Sequence, residues 1–142
     1  MVQLVRVIET LPDGFDALRA EAEAEGHRHL TRLAQEWAED PEGFTALLAA
    51  FLDAELVGIG GLTPEPTACA GEAWRMRRLY VAPSARRRGV GRALANALLT
   101  EALNLTRLVT VHAGTPEAAA FWEALGYEPV TGRAWSHQFL TT

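Results

Sequence analysis

Residues 74–81, WRMRRLYV, have the composition of a strand, and Ala82-Pro83-Ser84 stops it. A few residues on, apolar side chains return at helical spacing: Val90, Leu94, Ala97, Leu98, Ala102 and Leu105 predict a helix over about 89–104. A strand that feeds a long helix through a short loop commits the chain to layering helices on a sheet, because the helix carries an apolar stripe that only another element can cover. The rest of the sequence supplies that sheet.

A first strand is expected over 4–9, broken by Pro12-Asp13-Gly14. A helical pattern over 15–37 falls in two pieces, with Gly26 as the joint, Asp40-Pro41 as the stop, and Leu30, Leu33 and Trp37 as the stripe of the second piece. The apolar runs 44–52 and 56–62 read as a hairpin turning around Asp53 and Glu55, followed by a surface loop, TPEPTACAGE. After the central helix come a short strand over 107–112 and a helix opened by Thr115-Pro116, the threonine capping free amides and the proline suiting the first helical position. That helix turns Ala118, Phe121, Trp122 and Leu125 inward and ends at Gly126. Strands over 127–130 and 134–140 close an α/β or α+β domain with a mixed sheet of about seven strands and about four helices.

With 142 residues the chain has the size of one domain, spanning 1–142. Its 49% hydrophobic and 22% charged content is that of a globular protein. The net charge of −5 argues against a general nucleic-acid binder. No apolar run is long enough for a bilayer, the N-terminus lacks a signal-peptide core, and the single cysteine, Cys69, forms no internal disulfide, so a cytoplasmic protein without membrane partners is expected. Cys69 is read as a small filler.

Against that acidic background SARRRGVGRAL gathers Arg86, Arg87, Arg88 and Arg92 around Gly89 and Gly91 at the start of the central helix. The first turn of a helix leaves backbone N–H groups unpaired and carries partial positive charge. Glycine lets a phosphate approach those amides, and guanidinium forks match phosphate oxygens. Two glycines near a helix start cost about 1 kcal/mol each relative to alanine, which close approach of a ligand explains. The segment lacks the third glycine of a dinucleotide fingerprint and the lysine of a P-loop. A solvated charge run beside an ordinary loop is the alternative reading of the segment alone.

RRLYVAPSARRRGVGRALANALL resembles the central motif of the GNAT superfamily of acyl-CoA-dependent N-acyltransferases, [Arg/Gln]-x-x-Gly-x-[Gly/Ala] after an R-L-Y-V strand, met here by Arg86, Gly89 and Gly91. AAAFWEALGY, at 118–127, is similar to the family's A-x-x-F-Y-E-x-x-G-F helix, in the family's order and at a typical separation. The resemblance implies a splayed sheet and acetyl-CoA as cosubstrate, its pyrophosphate on Arg86, Arg87, Arg88, Gly89, Val90, Gly91 and Arg92. It further implies that the pantetheine arm lies between the strand of Leu79, Tyr80 and Val81 and the strand ending at His112. Backbone groups of Leu79 and Val81 would then bond the arm and the thioester carbonyl, where an aimed amide stabilises the oxyanion.

Three positions depart from the family. Trp122 stands where a tyrosine acid is frequent, and indole is no proton donor to a thiolate; Arg75 stands where a glutamate base is common, and arginine cannot be a base. Thr115 replaces a frequent asparagine that bonds the pantetheine arm. Tyr80 and Tyr127 are read as core. The candidate bases are Glu72, just before the strand, and His112. Arg75 and Arg77, two residues apart on one strand face, are candidates to hold a carboxylate or phosphate of the acceptor, with pairing to protein acids as the alternative; His27 and His29 lie at a helix joint that often lines the family's acceptor site. His137 is read as structural or exposed. The expectation is direct acetyl transfer to the primary amine of a small molecule, with a carboxylate on that molecule left open, with no metal and with a homodimer left open. The alternatives are an acetyl-CoA-binding sensor without turnover and an acetyltransferase of protein N-termini or lysines.

Overall fold

The computed structural model describes residues 1–67 and 72–141; Cys69 and residues 68, 70 and 71 of the expected surface loop lie outside the described residues. The order is β1 (Gln3–Arg6), α1 (Phe15–Ala24), α2 (His29–Glu39), β2 (Ala46–Leu52), β3 (Glu55–Pro64), β4 (Ala73–Val81), α3 (Val90–Leu103), β5 (Leu108–Val111), α4 (Pro116–Ala124), β6 (Glu128–Pro129) and β7 (His137–Leu140). The strands form one mixed sheet, β1-β2-β3-β4-β5-β7-β6. Among the described residues β4 and β5 are the parallel pair, and all other neighbours run antiparallel.

α3 packs on one face of the sheet through Val90, Leu94, Ala95, Leu98 and Ala102. It sits close because β3 is VGIGGL there: a Cβ on Gly58 would lie 3.1 Å from both Leu94 and Val90, and one on Gly60 would lie 3.3 Å from Leu98. The expected stripe is corrected at two positions. Ala97 is only half-buried, and Leu105 stands beyond the helix end, 49% exposed. On the opposite face lie α1 and α2, where Trp37 of α2 packs on Phe44 and a Cβ on Gly61 would meet Phe44 at 2.8 Å. α4 buries only Trp122 fully, with Ala118, Phe121 and Leu125 half-buried.

Two departures from regular pairing shape the sheet. In β4 the register against β3 shifts between Ile59 and Gly61, and Arg78 takes φ +59°, so β4 carries one extra residue as a bulge. The bulge turns Arg77 and Arg78 toward the same face, where both approach Glu36 of α2. Beside it, β4 and β5 pair only through Ala73–Leu108, Trp74–Val109 and Arg75–Thr110. β4 continues to Val81 without β5 alongside, which opens a wedge in the middle of the sheet.

Candidate active site

The apex of the wedge is fixed by a buried carboxylate. Glu65, with no exposed side-chain surface, accepts Arg75 Nε at 2.7 Å and the Thr110 hydroxyl at 2.9 Å on one oxygen, and the Thr67 N–H at 2.9 Å and hydroxyl at 2.8 Å on the other. Burial pushes its carboxyl up, but the bonds from Thr67 and Thr110 and the charge of Arg75 outweigh it and hold the group below its ordinary range. Arg75 also donates to the carbonyl of Ala134 at 3.2 Å, drawing the β6–β7 loop over this face. Its guanidinium is therefore committed within the protein, the alternative that the sequence had left open.

Below the apex the free edge of β4 leads to the arginine-glycine loop. Gly89 caps α3 at φ +80°, no side chain caps this end, and no acid sits in the first turn. Ala93 is the first residue of α3 whose N–H bonds back, to Gly89 at 3.0 Å, which leaves the amides of Val90, Gly91 and Arg92 for another acceptor. A Cβ on Gly89 would meet nothing within 4 Å, whereas one on Gly91 would lie 3.3 Å from Phe121 of α4 and 3.5 Å from Val81. Gly91 thus serves helix packing as well as access. Arg87, Arg88 and Arg92 are exposed.

Arg86 differs from its neighbours. Its guanidinium holds Glu25, at the end of α1, through bonds of 2.8 and 2.6 Å, and its Nε donates to the carbonyl of Val81 at 3.1 Å. Tyr80 donates its hydroxyl to the same Glu25 at 2.6 Å. The Arg86 and Tyr80 bonds lower the Glu25 pKa to about 2, and burial together with the Glu25 bond pushes the Tyr80 phenol up. Arg86 is thus an anchor between the loop and α1, with its donors already engaged.

The structure brings together some of the expected acceptor residues and scatters others. His27 and His29 stack at 5.5 Å, and His27 lies 6.2 Å from the Tyr80 ring, on the face of β4 that carries Arg77 and Arg78. Burial and the charges of His27, Arg78 and Arg32 hold His29 below its usual pKa. Arg78 binds Glu36 through two bonds of 3.0 and 2.8 Å, leaving Arg77 a single contact to Glu36 at 3.9 Å. Burial and the charges of Arg78 and Arg75 lower the Arg77 pKa against the opposing charges of Glu36 and Glu65. Glu72 is exposed just before β4, about 20 Å of extended chain from Leu79, so it does not reach the Leu79–Val81 edge. His112 is exposed just past β5. Thr115 caps α4 by accepting the Ala118 N–H at 3.1 Å, leaving its hydroxyl proton to donate. Trp122 lies between Phe121 and Tyr127, and the Tyr127 hydroxyl, pushed up by burial, points at the Met76 sulfur.

Sequence reasoning missed Glu25, Glu36, Glu65 and Arg78. The carboxylates come from distant segments, and nothing in RMRRLY marks which arginine sits in the bulge.

The sheet thus parts beside a glycine-opened helix start that carries exposed arginines. The chain belongs to the GNAT acetyltransferase family: the profile described as "Acetyltransferase (GNAT) family" matches residues 11–127. It is a GNAT-type N-acetyltransferase, and this family uses acetyl-CoA. None of the curated proteins matches the chain. In solved structures the fold is similar to that of a protein from Exiguobacterium sp. 255-15 with a provisional acetyltransferase designation (24% identity, 99% of this chain and 93% of that one, TM-score 0.87). It is also similar to a ribosomal-protein-alanine N-acetyltransferase from Brucella melitensis (22%, 98% and 99%, TM-score 0.71) and to an aminoglycoside 6'-N-acetyltransferase complexed with coenzyme A (19%, 97% and 93%, TM-score 0.69). At these identities the likeness is one of fold. Among the described residues no helix is long and apolar enough to cross a membrane.

Proposed function

We propose that the protein transfers the acetyl group of acetyl-CoA directly to the primary amine of a small molecule that also carries an anionic group. The observation that carries this reading is the parting of β4 from β5 after Arg75–Thr110, next to a helix start with three unanswered amides. The amides of Val90, Gly91 and Arg92, with the side chains of Arg87, Arg88 and Arg92, suit the pyrophosphate; Gly89 keeps the approach clear. The unpaired edge of β4 from Leu79 to Val81 offers backbone groups to the pantetheine arm and to the thioester carbonyl, where a fixed N–H would stabilise the developing oxyanion. Thr115 keeps one proton to donate to the arm. Bound acetyl-CoA would supply the activated acyl group, and the chain supplies position and polarity.

For the acceptor, three arginines on one face of β4 meet two carboxylates, Glu65 and Glu36, and Arg77 is the cation left over. An acceptor carboxylate or phosphate would complete that balance, with His27 and His29 bordering the site. A thiol-release screen over amino acids, amino sugars bearing acid groups, polyamines, aminoglycosides and peptides tests the reading. Turnover with an anionic small amine, and an Arg77→Ala variant that raises the acceptor KM at least tenfold with the acetyl-CoA KM unchanged, is expected. Turnover confined to peptides, or none with any amine despite tight acetyl-CoA binding, would replace it with the protein-modifying or sensor reading.

A further inference from the structure

Glu25 carries its charge at an unfavourable place on its own helix. It follows the last turn of α1, a turn with no basic residue, so the carboxylate faces the negative end of that helix's dipole. What compensates it comes from elsewhere in the chain. Oε1 accepts Arg86 Nη2 and the Tyr80 hydroxyl, each at 2.6 Å, and Oε2 accepts Arg86 Nη1 at 2.8 Å. Arg86 Nε goes to the Val81 carbonyl at 3.1 Å, and the guanidinium lies 5.6 Å from the centre of the Tyr80 ring. Single ion pairs at a surface hold little, but a forked pair set against an aromatic face and a backbone carbonyl has one geometry.

The clamp grips the loop immediately before its strained residue. Ahead of Arg86 the chain is tied down, because the Ala82 N–H bonds Val57 of β3 at 2.7 Å and Ala85 is buried. Arg86 is extended, at φ −67° and ψ 152°, and Arg87 then takes φ +65°, where its Cβ crowds the backbone. Gly89 adds a second left-handed turn at φ +80°, which glycine takes readily, and α3 begins. Little else restrains the stretch between: Arg87, Arg88 and Gly89 are exposed, and a Cβ on Gly89 would meet nothing within 4 Å. The turn at Arg87 is therefore held from Arg86 on one side and from α3 on the other.

Charge alone would place no carboxylate here. Glu25 neutralises one arginine of the cluster that a pyrophosphate would meet, so as a charge it weakens a phosphate site. Any gain it brings to that site has to be one of geometry.

We propose that Glu25 is a positioning residue of the donor site: through Arg86 it holds the left-handed turn at Arg87, and with it the helix-start amides in the arrangement that receives the pyrophosphate. The inference rests on the reading above that acetyl-CoA enters at this helix start. Glu25 itself touches no part of the donor. The same carboxylate ties the donor loop to the α1–α2 joint at Gly26, beside which His27 and His29 stack.

The test titrates coenzyme A into the full-length protein and its variants by calorimetry, with Tm recorded for each. Glu25→Gln is expected to weaken coenzyme A about tenfold although it removes a negative charge, because the loop is no longer set beforehand. Arg86→Lys reaches the same clamp from its other partner, keeping the charge and losing the fork, and should match it. Arg87→Gly supplies the background that separates positioning from plain structural support. It takes away a cation, which weakens binding by itself, but it also takes away the crowded Cβ. In that background Glu25→Gln should weaken coenzyme A no more than about twofold, since glycine makes the turn unaided, and the lost cation cancels in the cycle. An ion pair that only stabilises the fold would lower Tm in both backgrounds and show no such coupling in affinity. Unchanged binding in Glu25→Gln overturns the proposal, and tighter binding overturns it by making Glu25 a competitor of the phosphate. Full affinity in Arg86→Lys, or equal losses from Glu25→Gln in both backgrounds, overturns it as well. No binding of coenzyme A by the wild type strikes the donor-site reading and the proposal with it, whereas wild-type binding with uncoupled variants strikes the proposal alone.

Discussion

Asp53 and Ala54 connect β2 to β3 in two residues, both left-handed at φ +49° and +67°. That geometry matches the twist of a hairpin, but alanine pays for it with a Cβ clash that glycine avoids. Ala54→Gly is expected to stabilise the fold by about 0.5–1 kcal/mol, read as a rise of a few degrees in Tm. The opposite sign is expected at Glu65. Glu65→Ala strips the carboxylate from Arg75 and Thr110 at once and leaves a cation only 16% exposed without its partner. A loss of about 3–5 kcal/mol, or roughly 10 °C in Tm, should follow in thermal melts. Arg88→Ala lies in exposed loop and should leave Tm unchanged while weakening acetyl-CoA about tenfold, one charge-assisted bond's worth.

At the scale of elements, α1 and the arginine-glycine loop are joined by one carboxylate. Glu25 has a pKa of about 2 because Arg86 and then Tyr80 hydrogen-bond to it. A folded pKa below the unfolded value near 4.5 means that the bond stabilises above that value and is lost as pH falls toward 2. Tm measured from pH 6 to pH 2 should drop in that window, and Glu25→Gln should flatten the drop. Most elements were legible beforehand: the two-piece helix hinged at Gly26, the hairpin, the central helix and the Thr115 cap all announce themselves by period and punctuation. The arginine-glycine loop was legible because it is contiguous. The bulge at Arg78 was not, because arginine has no local preference for φ +59° and the conformation is imposed by pairing with β3 and by Glu36. The pairings of Glu25, Glu36, Glu65 and Glu123 escaped for the same reason: each joins residues far apart in sequence, and alternation says which face a side chain takes but not what waits there. Leu105 misled because the apolar period runs on after Asn104 has ended the helix.

Taken whole, the molecule is a sheet whose N-terminal four strands and C-terminal three share one short line of backbone bonds, the three residue pairs between β4 and β5. Helices reinforce this line, α3 through its contacts with both β4 and β5. A ligand bridging the loop before α3 and the β5 wall would bind both halves in the native state and neither in the unfolded one. At a hundredfold excess over its Kd it should raise stability by about 2.7 kcal/mol. Hydrogen exchange with and without acetyl-CoA is expected to show the largest gain in protection along the inner edges of β4 and β5, and uniform protection across the sheet would argue against a ligand in that position. In mechanical terms the wedge is a notch cut into a plate. Stress concentrates at its root, so Glu65, Arg75 and Thr110 set the stiffness with which the two halves hold each other, and filling the notch turns a compliant hinge into a brace.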